Sequence, residues 1–568
     1  MVAQRISCTD YPIGLDFICS VHTDIPYYKD EGKKWFKFGG AMSQFWQYNA
    51  MDTIATAAAH PKQIEDLINQ KNIEVYDRQR RIIPPLVYMM EHGIKVDLEG
   101  MLEERVRVEA QRDKLEEQLH QLTGKEIVRF EKGERKTFYN SPKQVMDYFY
   151  REKGLKPYLK RNKEKKMVPT SDDDAMRRVS RLGYKEASII LQLRSLSSKT
   201  LGTYLAPEKV SKDGRYRPSY NPVGARTGRL SSSENIFDEG GNMQNWPHKL
   251  LRFLVADEGY VYYSYDLSQA ENRIVAYVGR VLEMIRCFEE SIDVHSLVGA
   301  NIANRATGQK YTWKDIKAQD KEDIPCPIGD GTKTWRFYGK RTGHASNYDM
   351  GVNTFALQNE LKQNDAKFLL ESYHQLFPEI RANYQSMIRA MLLQNRTVTN
   401  PFGRNRTFMG QWGDDMFKAA YAQLPQSTVA DMINEWGLAY IYYNQDLFAP
   451  VELACQVHDS VGMFIPLSVP WIEHARMLSL MKAKLETPLS WHGRQFSIPA
   501  DLTMGYNLCK DPVYDDIELS AEDRLAGKKG KLISSAAEFK AKDIPSDLTI
   551  FAHKLETAWT ELNKAVKL

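Results

Sequence analysis

The sequence predicts an α+β protein of several domains, and three observations carry that expectation. At 568 residues the chain is too long for one hydrophobic core. Residues 261–265, VYYSY, form an aromatic and β-branched run of strand character that stops at Asp266, after which Leu267, Ala270, Ile274 and Val278 recur at helical spacing. Residues 453–465 read as a β-hairpin whose apolar arms flank His458, Asp459 and Ser460, while long amphipathic stretches elsewhere read as helix.

Both β elements therefore present a carboxylate where they end. A strand-to-helix junction fixes the base of a side chain and leaves its tip open, a favoured setting for a metal ligand or catalytic group. Asp266 taken alone is better read as mere punctuation of a strand end, and only the rest of the chain can overturn that reading. The tight turn of the hairpin would lift Asp459 off the sheet edge, giving a second carboxylate on a rigid β element.

Apolar content of 42% is ordinary, and a net charge of +4 is small at this length, so a nucleic-acid partner has to be argued from local patches. Cys8, Cys19, Cys287, Cys326, Cys455 and Cys509 are scattered, with no CxxC pair and no zinc spacing, as expected of free thiols in a reducing compartment. The N-terminus has no apolar leader core, and no window approaches the roughly 20 apolar residues of a membrane span. The expectation is a soluble cytoplasmic protein with no membrane partner. No repeat of 20 to 50 residues stands out.

Residues 1–75 form a segment with Tyr/Trp-rich turns and a helix-like stretch at 43–59, which sets Tyr48 and Asp52 four apart on one face. Residues 73–88 look helical, 91–97 form a turn, and 98–122 a long amphipathic helix. Between 151 and 166, Arg151, Lys153, Lys156, Lys160, Arg161, Lys163, Lys165 and Lys166 stand against Glu152 and Glu164. That suits a flexible tip touching phosphates, or a solvated loop. Residues 188–205 return to helix and 211–218 read as a polar linker. Residues 225–232, ARTGRLSS, and 242–247, NMQNWP, bring together donors suited to phosphates and to base edges in a minor groove.

Residues 306–334 read as a polar surface excursion, and 335–355 as a helix on which Arg336, Lys340, His344 and Tyr348 recur every fourth residue. Two cations followed by two rings along one face suit a ligand with a polyphosphate at one end and a planar group at the other. Further helices are expected at 368–377 and 416–438, the latter carrying Gln426 and Asp431, with a basic turn at 399–406 between them. Beyond Tyr514 the composition turns rich in Lys, Ala and Glu, reading as an appended tail with a terminal helix at 548–568.

In their order along the chain these motifs resemble those of the family A DNA polymerases, in a style closest to the bacteriophage enzymes. The resemblance spans roughly residues 78–510 and rests on TGRLSS at 227–232, DLSQAENR at 266–273, the Arg336/Lys340/Tyr348 helix and QVHD at 456–459. NSPKQ at 140–144, FPEI at 377–380, Gly403-Arg404 and GYN at 505–507 support it. It implies a right-hand polymerase fold with an antiparallel palm sheet and helical fingers and thumb. The thumb would be residues 76–220, the palm 221–292 with 421–512, and the fingers 293–420; residues 1–75 would be a partial RNase H-like 3′–5′ exonuclease segment and 513–568 a Lys-rich tail.

The resemblance further implies addition of deoxynucleotides to a primer 3′-hydroxyl in bacteriophage genome replication. Asp266 and Asp459 would bind two Mg²⁺ ions, for which Mn²⁺ could substitute, and Lys340 would join them in catalysis. His295, Arg336 and Lys340 would hold the triphosphate, His344 would lie by the sugar, Tyr348 would close on the nascent base pair, and Glu271 would exclude a ribose 2′-hydroxyl. Ser268 and Glu271 also fit a capping box that starts the helix. Arg229, Gln244, Asn245, Arg404, Gln426 and His458 would face primer-template DNA. The implied partners are primer-template DNA and dNTPs, with a separate exonuclease subunit or a processivity factor beside them, in the host cytoplasm.

The chain departs from the family pattern in several places. His344 stands where the family usually has Phe or Tyr, Ser460 replaces the Glu that usually follows the motif aspartate, and the 306–334 excursion is long for the fingers. Tyr48 and Asp52 match the last exonuclease motif, but the earlier Asp-bearing motifs have no counterpart, and a lone Asp52 cannot build a two-metal site. Proofreading by this chain alone is therefore not expected. Two other readings stay open. HDSVG at 458–462 is also similar to the hairpin of single-subunit RNA polymerases, against which Glu271 and the 227–232 motif weigh. A catalytically silent DNA-binding replisome subunit would have little use for both aspartates.

Overall fold

The computed structural model describes residues 1–162, 164, 166–515 and 529–565. Its organising element is strand β1, Tyr260–Leu267, which is buried along almost its whole length. β1 lies in the middle of an antiparallel sheet with β2 (Glu452–Val457), β3 (Ser460–Pro466), β4 (Ala500–Gly505) and β5 (Ala536–Phe539), in the order β2-β3-β1-β4-β5. Neighbours on both edges and packing on both faces explain why the run lacks the alternation of a half-exposed strand.

The helices that frame the sheet and its cleft are α1 (Met42–Asn69), α2 (Leu98–Thr123), α3 (Ala270–Gly279), α4 (Val294–Thr307) and α5 (Trp313–Lys321). They continue with α6 (Trp335–Asn347), α7 (Asp414–Asp431), α8 (Trp471–Leu485) and α9 (Leu548–Ala565). Among the described residues no helix is long and apolar enough to cross a membrane.

α8 covers the odd-numbered face of β1. The Tyr265 hydroxyl donates to the Leu478 carbonyl at 2.8 Å, and the Tyr263 hydroxyl meets His474 Nδ1 at 2.9 Å. His474 is fully buried, and burial pushes its pKa down to about 4. Between pH 6.5 and 4 an unfolded chain protonates this histidine while the folded chain does not, so stability falls as pH falls through that window, by up to about 3 kcal/mol. Thermal melts of wild type and His474→Gln at pH 7 and pH 5 should show a shallower loss on acidification in the variant; equal losses would mean that other groups set the acid limit.

Several sequence expectations need correction. Leu267 ends β1 and does not begin the helix. Gln269, at φ +49°, turns the chain so that α3 starts at Ala270, and no side chain caps it, so the Ser268/Glu271 capping box does not form. The helix expected at 335–355 stops at Asn347; the chain resumes as a short helix at Val352–Gln358. The 306–334 excursion contains α5, which has a true capping box between Thr312 and Asp315 and buries Ile316. The turn at 91–97 and the linker at 211–218 hold strands Ile94–Val96 and Arg215–Tyr216, joined with Leu254–Val255 in a three-stranded sheet.

The basic stretch at 151–166 leads into a hairpin of Leu159–Arg161 with Met167–Pro169. Arg151, Lys153 and Lys160 are paired with Asp147, Glu186 and Asp172, which leaves fewer free cations than the composition implied. Lys163 and Lys165 lie outside the described residues. The tail is not merely appended: β5 pairs with β4 from Leu502↔Phe539 to Gly505↔Ala536, and α9 buries Phe551, Leu555, Trp559 and Leu562. Residues 566–568 of the expected terminal helix are outside the described set.

Residues 115–193 share a separate small core that includes Leu119, Phe138, Phe149, Val179 and Leu193. The N-terminal segment docks through reciprocal Asn72–Asn405 bonds of 2.9 and 3.0 Å and through Asp10 on Arg406 at 2.8 Å.

Candidate active site

The antiparallel register fixes the centre of the site. Asp266 stands opposite Ser460 of β3, and the Leu267 N–H donates to the Asp459 carbonyl at 3.1 Å, so the last residue of the hairpin turn is held against the end of β1. The turn is the two-residue type, with His458 at φ +51°. Burial, with the Asp266 charge beside it, pushes Asp459 up to about 7. Two carboxylates on separate chain segments thus crowd each other at one end of the sheet. Asp501 of β4 also faces Asp266 in register, but its carboxylate is turned to the Ala541 N–H at 2.8 Å and to Lys540.

Among the described residues no group of three or more His, Cys, Asp or Glu comes together. A pair of carboxylates nevertheless fits Mg²⁺, which takes hard oxygen ligands and keeps water and substrate phosphates for its remaining positions. A dication would also relieve the crowding that raises Asp459.

Gln244 does a different job from the DNA contact expected of it. Its Nε2 donates to the Gln456 carbonyl at 2.9 Å and its Oε1 accepts the His458 N–H at 2.9 Å, so it clamps the hairpin that carries Asp459. Asn245 next to it is exposed, and its carbonyl accepts the Tyr204 hydroxyl at 2.8 Å. Arg404 is a second correction. Its guanidinium is buried on Asp431, 2.5 Å away, and bonds Gln79 at 2.7 Å, so its donors are spent inside the protein. Gly228, at φ +85°, packs flat on that guanidinium, where a Cβ would stand 2.9 Å from its central carbon. The glycine of the 227–232 motif is thus required by this contact.

Glu271, on the first turn of α3, is held from two sides by the Arg229 guanidinium and the Tyr348 hydroxyl. Tyr348 is the C-cap of α6, and burial with the Glu271 charge holds its phenol well above the usual range. The end of α6 is locked on α3 by Asn347, whose amide donates to Asn272 at 2.9 Å and accepts from the Tyr373 hydroxyl at 2.7 Å. Glu271, Arg229 and Tyr348, far apart in sequence, therefore form one chain of hydrogen bonds.

Along α6, Lys340 and His344 are exposed and Arg336 is half-buried. Arg336 bonds Asp293 at 3.0 Å and Asp320 of α5 at 3.4 Å, whereas Lys340 has no ion pair among the described residues. His295 is buried on α4, its ring 6.0 Å from that of His344, and burial lowers its pKa to about 3, so it is neutral at physiological pH. Gln426 is half-buried on α7, and His458 is exposed at the hairpin turn.

Three participants were not singled out in the sequence: Asp293 and Asp320 on Arg336, and Lys510, whose ammonium lies 2.5 Å from Asp266 Oδ2. Asp293 carried a detectable signal, since its side chain caps α4 by accepting the Ser296 N–H at 3.1 Å, an Asp-x-x-Ser start. Neither Asp320 nor Lys510 lies in a motif.

At the N-terminus, Asp52 accepts from Lys29 at 2.8 Å and from the Tyr28 hydroxyl at 2.7 Å, and Lys29 also lies over the Tyr48 ring. The carboxylate is neutralised locally by a lysine.

The architecture is the α+β polymerase fold. The solved POL domain of Pol1 from M. smegmatis, in complex with DNA primer-template and dNTP, aligns with a TM-score of 0.67 at 20% identity, covering 89% of this chain and 80% of that one. The chain belongs to DNA polymerase family A, whose model matches residues 105–507. DNA polymerase I of Pseudomonas aeruginosa is 24% identical over 79% of this chain and 47% of that protein. DNA polymerase I of Streptococcus pneumoniae is 25% identical over 80% and 48%. The thermostable DNA polymerase I of Thermus thermophilus is 26% identical over 71% and 44%. The chain spans about half the length of these curated relatives.

Proposed function

We propose that the chain is a template-directed DNA polymerase that extends a primer 3′-hydroxyl with deoxynucleotides at a cleft centred on Asp266 and Asp459. The observation that carries the reading is the juxtaposition of these two carboxylates at the end of β1, within a chain that belongs to DNA polymerase family A. They would hold Mg²⁺ ions, which supply stabilisation of charge on the attacking and leaving oxygens of phosphoryl transfer.

The remaining roles follow from charge and position. Lys340, exposed and free of an ion pair among the described residues, is suited to meet a triphosphate as a point charge. Arg336 would exchange Asp293 and Asp320 for phosphate oxygens. His295, neutral and buried beneath this face, is suited to a hydrogen bond without adding charge. Glu271, fixed by Arg229 and Tyr348, is a rigid block of the kind that excludes a 2′-hydroxyl, and His344 offers a planar ring one turn before Tyr348 on α6. Asn245, Gln426 and His458 would face primer-template DNA.

Residues 1–75 would be a partial exonuclease-like segment without proofreading activity, because Asp52 is held by Lys29 and the earlier Asp-bearing motifs have no counterpart in the sequence. A separate exonuclease chain or a processivity factor would then complete the machine. The resemblance to bacteriophage enzymes supports genome replication in a host cytoplasm as the setting.

One assay tests the reading: the purified chain with Mg²⁺ and a primed template, given dNTPs, rNTPs, or a mismatched primer and no nucleotide. The expected result is extension with dNTPs, little with rNTPs and no shortening of the mismatched primer. Absence of dNTP extension overturns the polymerase reading, preferred extension with rNTPs favours an RNA polymerase-like enzyme, and primer shortening overturns the loss of proofreading.

A further inference from the structure

The two carboxylates are not alone. Lys510 Nζ lies 2.5 Å from Asp266 Oδ2, with the lysine side chain 27% and the aspartate 38% exposed. This is not a surface lysine that happens to lean over. Its backbone is pinned on the N-terminal side: the Leu508 N–H donates to the Leu254 carbonyl at 3.0 Å, and the Cys509 N–H to Asn507 Oδ1 at 2.9 Å. The Asn507 amide is tied in turn to Ser534 at 3.0 Å, and the Cys509 thiol donates to the His248 carbonyl at 3.3 Å. The lysine also lies past residue 507, where the family match ends.

An ammonium held on the Asp266 carboxylate weakens that carboxylate's hold on a divalent cation. The two cations compete for the same ligand, and each repels the other. We propose that Lys510 is a resident counter-ion that holds Asp266 until a metal–nucleotide complex arrives, so that free divalent cation is disfavoured and metal arriving with a triphosphate is preferred. The triphosphate gives the displaced ammonium a new anionic partner, which free metal does not. Lys510 is thus a positioning residue for metal loading, acting through Asp266; the inference rests on the metal-binding role given to Asp266 above.

Direct Mn²⁺ titration, followed by the electron paramagnetic resonance signal of the unbound ion, tests this on the full chain without nucleotide or DNA. Relative to wild type, Lys510→Met and Lys510→Gln should bind Mn²⁺ about three- to tenfold more tightly, a gain that misfolding would not produce. Lys510→Arg, which keeps the charge, should match wild type. Adding a non-reactive dNTP analogue should narrow the gap between Lys510→Met and wild type. Affinity unchanged or weakened in both neutral variants overturns the proposal. Asp266→Asn separates the two levels: if it weakens Mn²⁺ binding while neither neutral Lys510 variant tightens it, only the counter-ion role fails. If it leaves binding at the wild-type level, the metal-site reading fails and the counter-ion role with it.

Discussion

Asp459→Asn should lower kcat for primer extension by about 10³-fold or more, since a metal's stabilisation of phosphoryl-transfer charge is worth several kcal/mol and each 1.36 kcal/mol is a tenfold rate change. The substitution keeps size and shape. The backbone bond from the Leu267 N–H to residue 459 and the Gln244 clamp on the turn do not involve the carboxylate, so the hairpin should retain its register. What is lost is one of the two charges proposed above to hold a dication. Removing it also removes the repulsion that pushes Asp459 up to about 7, so the metal-free variant should be no less stable than wild type at pH 8. Single-turnover extension alongside a thermal melt would show the two results together. Undiminished extension would mean that the measured activity belongs to something other than this chain, and a collapsed melt would mean that the carboxylate is structural.

The second large effect is on stability. Arg404 and Asp431 are 8% and 4% exposed and joined at 2.5 Å, with Gln79 on the guanidinium and Asn400 on the carboxylate at 2.8 Å. Asp431→Ala leaves a guanidinium buried beneath Gly228 with little to neutralise it, which should cost about 3–5 kcal/mol in urea unfolding. Replacing both partners with apolar residues of similar volume should cost less than the single change, because no orphaned charge remains. A loss under about 1 kcal/mol for Asp431→Ala would show that water reaches the guanidinium after all.

The extent to which the sequence disclosed this molecule depends on the length of each signal. β1 and the 452–466 hairpin were legible because their apolar runs are long and bounded by sharp polar punctuation, and α2 because its amphipathic pattern runs unbroken from Leu98 to Thr123. Strands of two or three residues such as Arg215–Tyr216 carry too little pattern to show a period. The start of α3 was misread because left-handed Gln269 is a backbone event with no compositional mark. Within the candidate site, the ordered motifs pointed to Asp266 and Asp459, which the sheet register brings together, but not to which donors face outward. Gln244 and Arg404 have the chemistry of DNA contacts and spend it inside the protein, on a hairpin and on Asp431. A side chain's donors are the same in either role; only the surroundings choose between them.

The pairing of β5 onto β4 has a practical consequence for handling the protein. A version trimmed to the family match, ending at residue 507, would leave the backbone of Leu502 to Gly505 with unpaired N–H and C=O groups along a strand rich in buried apolar side chains. Such an open edge is a template for strand addition between molecules. Glu538 of β5 and Lys540 just after it, which pairs with Asp501 of β4 and with Glu538, would be lost as well, leaving the new edge with fewer of the charges that discourage such pairing.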